Sequence, residues 1–198
     1  MKKGNKYGVH RVIEPEGALP QPAWKIDNTM EIYDNEILID VQTLNIDSAS
    51  FTQIKEEAGG DKEKIKNRIQ EIVNERGKHH NPVTGSGGML IGKIEEIGDK
   101  LKNRDIEEGD KIATLVSLSL TPLRIDEIIE VKEEIDQVNI KGKAILFESG
   151  IYAKLPEDMS ETLALAVLDV AGAPAQTAKL VNPGNTVLVI GAGGKSGL

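Results

Sequence analysis

Residues 186–190, Thr-Val-Leu-Val-Ile, form a continuous apolar, β-branched run, and Gly191, Ala192, Gly193, Gly194, Lys195, Ser196 and Gly197 follow it without a gap. A strand without polar alternation is one covered on both faces, as in a parallel sheet. A glycine-rich turn directly after such a strand is a phosphate cradle. Glycine lets the backbone turn sharply and approach a pyrophosphate, while the amides of the turn and of a following helix point at the anion. Read as G-x-G-x-x-G, the loop fits at Gly191 and Gly193, with Ser196 in the third place; at a spacing of three, Gly191, Gly194 and Gly197 all fit. A P-loop is excluded, because its first glycine would fall on Val189. Upstream, residues 169–181 read as a helix of small residues, and Pro183-Gly184 as the turn into the strand. The acidic residue that holds a cofactor ribose is expected about 20 residues past such a loop, beyond Leu198. The expectation is therefore an N-terminal fragment of a longer enzyme, inactive by itself.

The chain has 198 residues, 39% of them apolar, enough for one packed domain and part of another. Its 32 acidic against 24 basic residues give a net charge of −8. That balance argues against a nucleic-acid partner, which wants a basic stripe, and favours cationic ligands. Cysteine is absent, so disulfides and thiolate metal sites are excluded. The basic N-terminus lacks an apolar segment behind it, and no run of 18 apolar residues occurs. The expected setting is cytoplasmic, with no membrane partner.

Residues 1–34 are broken by Pro15, Gly17, Pro20 and Pro22 and should form a lead-in wrapped over a surface, with Tyr7, His10, Arg11 and Glu14 as its polar and aromatic handles. Residues 36–46 alternate as a strand, and Asp47 to Ser50 make a polar turn before a short helix from about Phe51. A clear helix spans 61–77: Asp61 is its N-cap, Ile65, Ile69, Ile72 and Val73 share one face, and Gly77 stands at the left-handed C-terminal position. His79 and His80 are adjacent and cannot converge on one ion, so they read as loop histidines and no metal is expected. The glycine loop at 84–88 leads into a strand, which makes it a crowded turn near a site rather than a second phosphate cradle. Further short strands are expected at 111–117, 124–131, 138–140 and 144–147. Many short strands with one inserted helix point to a partly open β-barrel.

The strand 36–46, the loop 84–88, the segment Leu90 to Gly98 and the turn Gly109-Asp110 fall in the order of the GroES-like catalytic domain of the medium-chain dehydrogenase/reductase superfamily. The loop 191–197 resembles the quinone-oxidoreductase-like variant of that superfamily. Five longer phrases are more specific: 17–23, 44–54, 116–125, 147–153 and 169–176 together resemble the L-erythro-3,5-diaminohexanoate dehydrogenase family of bacterial lysine fermentation. The likeness covers nearly the whole chain. It implies a mixed α+β and α/β architecture, with a GroES-like partly open barrel at 1–156 and the first helix, strand and glycine loop of a Rossmann domain at 157–198. Zinc-dependent members of the superfamily carry a cysteine where Asp47 or Ser48 stands and a Gly-His-Glu where Gly85-Ser86-Gly87 stands. Neither ligand is here, so the resemblance implies zinc-independent chemistry.

The resemblance further implies oxidation of the 3-amino group of (3S,5S)-3,5-diaminohexanoate by NAD or NADP, giving 5-amino-3-oxohexanoate and ammonia, in an enzyme expected to be a homodimer. Such a reaction needs a base, an acidic group for the second ammonium and a cation for the substrate carboxylate. Asp47 and Glu148 are the candidates for the first two, Arg124 or Arg11 for the third, and Ser48 and Ser86 for hydrogen bonds to substrate. Residues 191–197 would hold the cofactor. Each has a plainer alternative: Asp47 as a helix cap, Ser86 as turn filler, Glu148 and the arginines as surface charges. A second class of function, a GroES-like binding or assembly module without catalysis, fits the same strands.

Overall fold

The computed structural model describes residues 1–155, 159–170 and 172–188. The chain divides into two compact units, Met1–Leu155 and Pro156–Leu198.

The first unit is built on a six-stranded antiparallel sheet. In chain order its elements are β1 (Val12–Glu14), β2 (Lys25–Ile26), β3 (Glu36–Ile46), α1 (Ser48–Glu57), α2 (Lys62–Arg76), β4 (Gly88–Ile97), β5 (Lys111–Thr114), β6 (Leu123–Lys132), β7 (Gln137–Phe147) and β8 (Tyr152–Lys154). The sheet order is β6-β7-β3-β4-β5-β8, while β1 and β2 pair separately. Among the described residues no ladder joins the outer strands β6 and β8, so the sheet is open. The lead-in has a small core of its own, Val12, Ala23 and Ile26.

β3 is the central strand, and its packing shows how pairing sets the core. Ile37, Ile39 and Val41 enter the main core, followed by Leu44 and Ile46. The switch from odd to even positions coincides with a register irregularity between Val41 and Thr43, present against both β4 and β7. One displaced residue exchanges the faces of everything after it. Phe51 and Ile54 of α1 and Ile65, Ile69, Ile72 and Val73 of α2 close over the same core. Leu38, Ile145 and Phe147 form a separate cluster.

α2 ends as its sequence predicts. Asp61 accepts from the amides of Glu63 and Lys64, and Gly77 takes the left-handed conformation at φ 72°. β7 differs from expectation. It runs unbroken through Gly142, where two short strands were expected. Gly142 lies opposite both Val41 of β3 and Ile125 of β6, and a Cβ there would meet the Arg124 carbonyl at 2.3 Å. The glycine allows close strand approach instead of ending the strand.

The second unit contains α3 (Glu161–Val170) and α4 (Gly172–Leu180). The strand expected at 186–190 is not formed over 186–188, where Val187 and Leu188 stand exposed. A strand exists only as a hydrogen-bonded ladder, and the described residues of this unit hold no strand for it to pair with. The rest of that expected strand, and the loop 191–197, lie outside the described residues.

Candidate functional site

Asp47 sits where β3 gives way to α1, and its position follows from local chemistry. It is the N-cap of α1: its Oδ1 accepts from the Ala49 amide at 3.0 Å. Across the ladder, Ile46 pairs with Gly88, the first residue of β4, and the Asp47 amide donates to the Gly87 carbonyl at 3.2 Å. This pairing brings the 81–87 loop alongside the start of α1. The Ser86 Oγ then donates to the same Asp47 Oδ1 at 3.1 Å. Both side-chain bonds fall on Oδ1, and the carboxylate is exposed.

Two more hydroxyls complete the group. Ser50, fully buried, lies 2.6 Å from the Ser86 Oγ and 2.7 Å from the Thr84 Oγ1, and Thr84 is 3.0 Å from Ser86. Asn81 organises the loop that carries them. Its Oδ1 accepts from the Val83 amide at 2.8 Å and its Nδ2 donates to Gln53 of α1 at 2.9 Å. On the other side of Asp47, the Ser48 Oγ donates to Asp136 at 2.5 Å. Asp136 ends the β6–β7 turn in a left-handed conformation, φ 56°, and its carbonyl accepts from the Ile46 amide at 2.9 Å. Aspartate tolerates that conformation at a turn.

Beneath the loop, Gly87 admits no side chain: a Cβ would meet the Ser119 amide at 2.5 Å and the Ser117 Oγ at 2.7 Å. His79 is fully buried nearby, and neither ring nitrogen has a hydrogen-bond partner. Burial is the main cause that brings it down to about 4, so its imidazole is neutral at physiological pH. His79 thus belongs to the interior, whereas His80 is half-buried and accepts Arg76 as a neighbour at 3.2 Å.

The six candidate residues, with Arg124 and Arg11 as alternatives, fall in three places. Asp47, Ser48 and Ser86 meet. Glu148 follows β7 at the opposite end of β3, since Glu36 pairs with Phe147 while Asn45 pairs with Gln137. Ten residues of strand at about 3.3 Å each separate the two ends by roughly 30 Å. Glu148 is bound there by Lys100 at 2.7 Å and Asn35 at 3.2 Å, and the Lys100 hydrogen bond holds its carboxyl below the usual range. Arg11 lies at that same far end. All its donors are engaged, by both oxygens of Glu36, the carbonyls of Thr29 and Glu31, and Asp27. Arg124 pairs with Asp126 at 2.9 Å on β6, in the row of Lys143 and Asp40. That row is seven residues, roughly 20 Å of strand, from Asp47. Strand length alone keeps Glu148, Arg11 and Arg124 away from Asp47.

Three residues bonded to this group escaped the sequence reading: Ser50, Thr84 and Asp136. Ser50 carried a signal, because it stands three residues after an N-cap and so on the same helical face. Asp136 carried none, for only the β6–β7 turn brings it to Ser48.

A family model described as the L-erythro-3,5-diaminohexanoate dehydrogenase N-terminal domain matches residues 10–156. The chain belongs to this family. Over 197 residues it is 75% identical to the L-erythro-3,5-diaminohexanoate dehydrogenase of Acetoanaerobium sticklandii, covering 99% of this chain and 57% of that relative. The enzyme of the same name from Fusobacterium nucleatum is 73% identical over 199 residues, covering 100% of this chain and 58% of the relative. The chain thus spans somewhat more than half the length of these relatives. Among solved structures, the CurK enoyl reductase is similar at a TM-score of 0.38 and 15% identity, covering 84% of this chain and 41% of that one. An enoyl thioester reductase from Candida tropicalis, in a mutant form, is similar at 0.33 and 13%, covering 96% and 43%. No helix among the described residues is long and apolar enough to cross a membrane.

Proposed function

We propose that this chain is the substrate-side part of a nicotinamide-dependent dehydrogenase that oxidatively deaminates 3,5-diaminohexanoate at C3. The observation that carries the reading is the 75% identity to a curated enzyme of that name along 99% of the chain. In this reading the open sheet unit is the GroES-like domain, and the second unit, with residues 186–197, begins the Rossmann domain. NAD or NADP accepts the hydride, held by Gly191 to Gly197; what supports that assignment is the sequence of the loop.

The chemistry is centred on Asp47. Its exposed carboxylate, fixed by the Ala49 amide and Ser86, takes a proton from the 3-ammonium, and after hydride loss activates the water that adds to the imine. A six-carbon substrate spans under about 8 Å at about 1.5 Å per bond. Glu148, Arg11 and Arg124 are therefore too distant to touch a molecule reacting at Asp47. Asp136, bridged to the same turn by Ser48, takes the place foreseen for Glu148 as the carboxylate facing the second ammonium.

The test is to join this chain to the remaining part of the Acetoanaerobium sticklandii relative and follow nicotinamide reduction with 3,5-diaminohexanoate and with simple alcohols. Turnover of the diamine, lost in Asp47→Asn, is the expected result. Diamine-independent activity, or none with either cofactor, would refute the reading. A GroES-like binding module is the second reading, and it predicts no turnover in any such fusion.

A further inference from the structure

Protons in the Asp47 cluster can be assigned by counting. Three hydroxyls, Thr84, Ser50 and Ser86, supply three protons, and an ionised carboxylate only accepts. Ser86 therefore gives its proton to Asp47, and its oxygen is left to accept. Two protons remain for three hydroxyl contacts. The two shorter ones take them: Ser50 donates to Ser86 at 2.6 Å, and Thr84 donates to Ser50 at 2.7 Å. The contact between Thr84 and Ser86, at 3.0 Å, is the one without a proton. The bonds then run in one direction, Thr84 to Ser50 to Ser86 to Asp47. The chain begins at an exposed threonine and passes through a fully buried serine, where water cannot substitute for a missing hydroxyl.

We propose that Ser50 is the buried link of a hydroxyl relay through which the proton taken by Asp47 passes to solvent at Thr84. The inference rests on the reading of Asp47 as base. It deepens that reading through the proton balance of the reaction. An ammonium, an oxidised nicotinamide and water become a ketone, an ammonium ion, a reduced nicotinamide and one free proton. Each turnover must therefore discharge one proton from the base. A substrate ammonium seated on Asp47 takes the exposed part of the carboxylate, while Ser86 stays bonded to Oδ1. When Asp47 is protonated the relay reverses, each oxygen accepting from the Asp47 side and donating toward Thr84, so the proton leaves without displacing the substrate. Every hop breaks one O–H bond and forms one. Ser50 does not touch the substrate and is a positioning residue, carrying protons for Asp47.

The experiment uses the fusion enzyme described above, with Ser50→Ala, Ser50→Thr, Thr84→Val and Asp47→Asn. Ser50→Ala and Thr84→Val are expected to lower kcat roughly 100-fold or more, the order of one positioned proton transfer, with KM for the diamine within about twofold. Added imidazole should restore kcat in both, because a small buffer bypasses a broken relay and does not repair a packing defect. Ser50→Thr, which keeps the hydroxyl, should retain more activity than Ser50→Ala. Unchanged kcat, or a loss that imidazole leaves untouched, overturns the relay. Thr84 is exposed, so Thr84→Val decides the matter even if Ser50→Ala does not fold. Full turnover by Asp47→Asn would overturn the assignment of the base instead, which separates the two failures.

Discussion

The guanidinium of Arg11 meets the carboxylate of Glu36 through two bonds of 2.7 Å, with both side chains fully buried. His10 adds a third contact to Glu36 at 2.8 Å, and its other nitrogen accepts from the Asn5 amide. The Nε2 of His10 therefore carries the proton that Glu36 accepts. Burial pushes Glu36 up, but the hydrogen bonds from Arg11 and His10 outweigh it and hold the carboxyl below its usual value of 4.5. This cluster anchors the lead-in to the first residue of β3.

Removing one partner of such a pair leaves a buried charge uncompensated. Arg11→Met is expected to destabilise the chain by about 3–5 kcal/mol, and the double change Arg11→Met with Glu36→Leu by clearly less. Urea midpoints of the three proteins check this. Equal losses in the single and double variants would show that the cluster acts through packing and not through charge.

Lys78 makes stability depend on pH in the neutral-to-alkaline range. It is fully buried, donates to the carbonyls of Pro20 at 2.6 Å and Gln21 at 3.0 Å, and has Arg76 and His80 as charged or titratable neighbours. Burial and then the Arg76 charge bring it down from 10.5 to about 7. Between those values the unfolded chain binds more protons than the folded one, so stability rises with pH across this window and the gain is absent below about 7. The slope from one such group reaches at most about 1.4 kcal/mol per pH unit. Lys78→Met should abolish that rise. Stability curves of the two proteins that stay parallel between neutral and alkaline pH would contradict it.

Gly142→Ala is expected to cost about 1–3 kcal/mol although its backbone is compatible with alanine. The added Cβ would stand 2.3 Å from the Arg124 carbonyl, a backbone atom that cannot move without disturbing the β6–β7 ladder. A melting temperature unchanged by the substitution would mean that the strands do not approach so closely there.

The residues of α2 show what was legible in advance. Asp61, the isoleucine stripe and Gly77 act over one to four positions, and their reading survives in the structure. Strand β3 was equally legible, as was Asp47 as the cap of the helix after it. Gly142 was misread, because a glycine that breaks a strand and one that admits a neighbouring strand look alike until the neighbour is known. Arg11 and Glu148 were legible only in part. Their charge was visible, and their partners Glu36 and Lys100 were not.

By itself the sequence determined periodicities, caps, net charge and the residue types available for chemistry, all of which depend on near neighbours along the chain. Tertiary structure decided which of those groups meet. Ser86 reaches Asp47 across 39 positions because Ile46 pairs with Gly88, and Glu148 is carried roughly 30 Å away because β3 has 11 residues. Ladder register is a collective property of paired strands, summed over many hydrogen bonds and one buried face, and no single residue's chemistry reveals it.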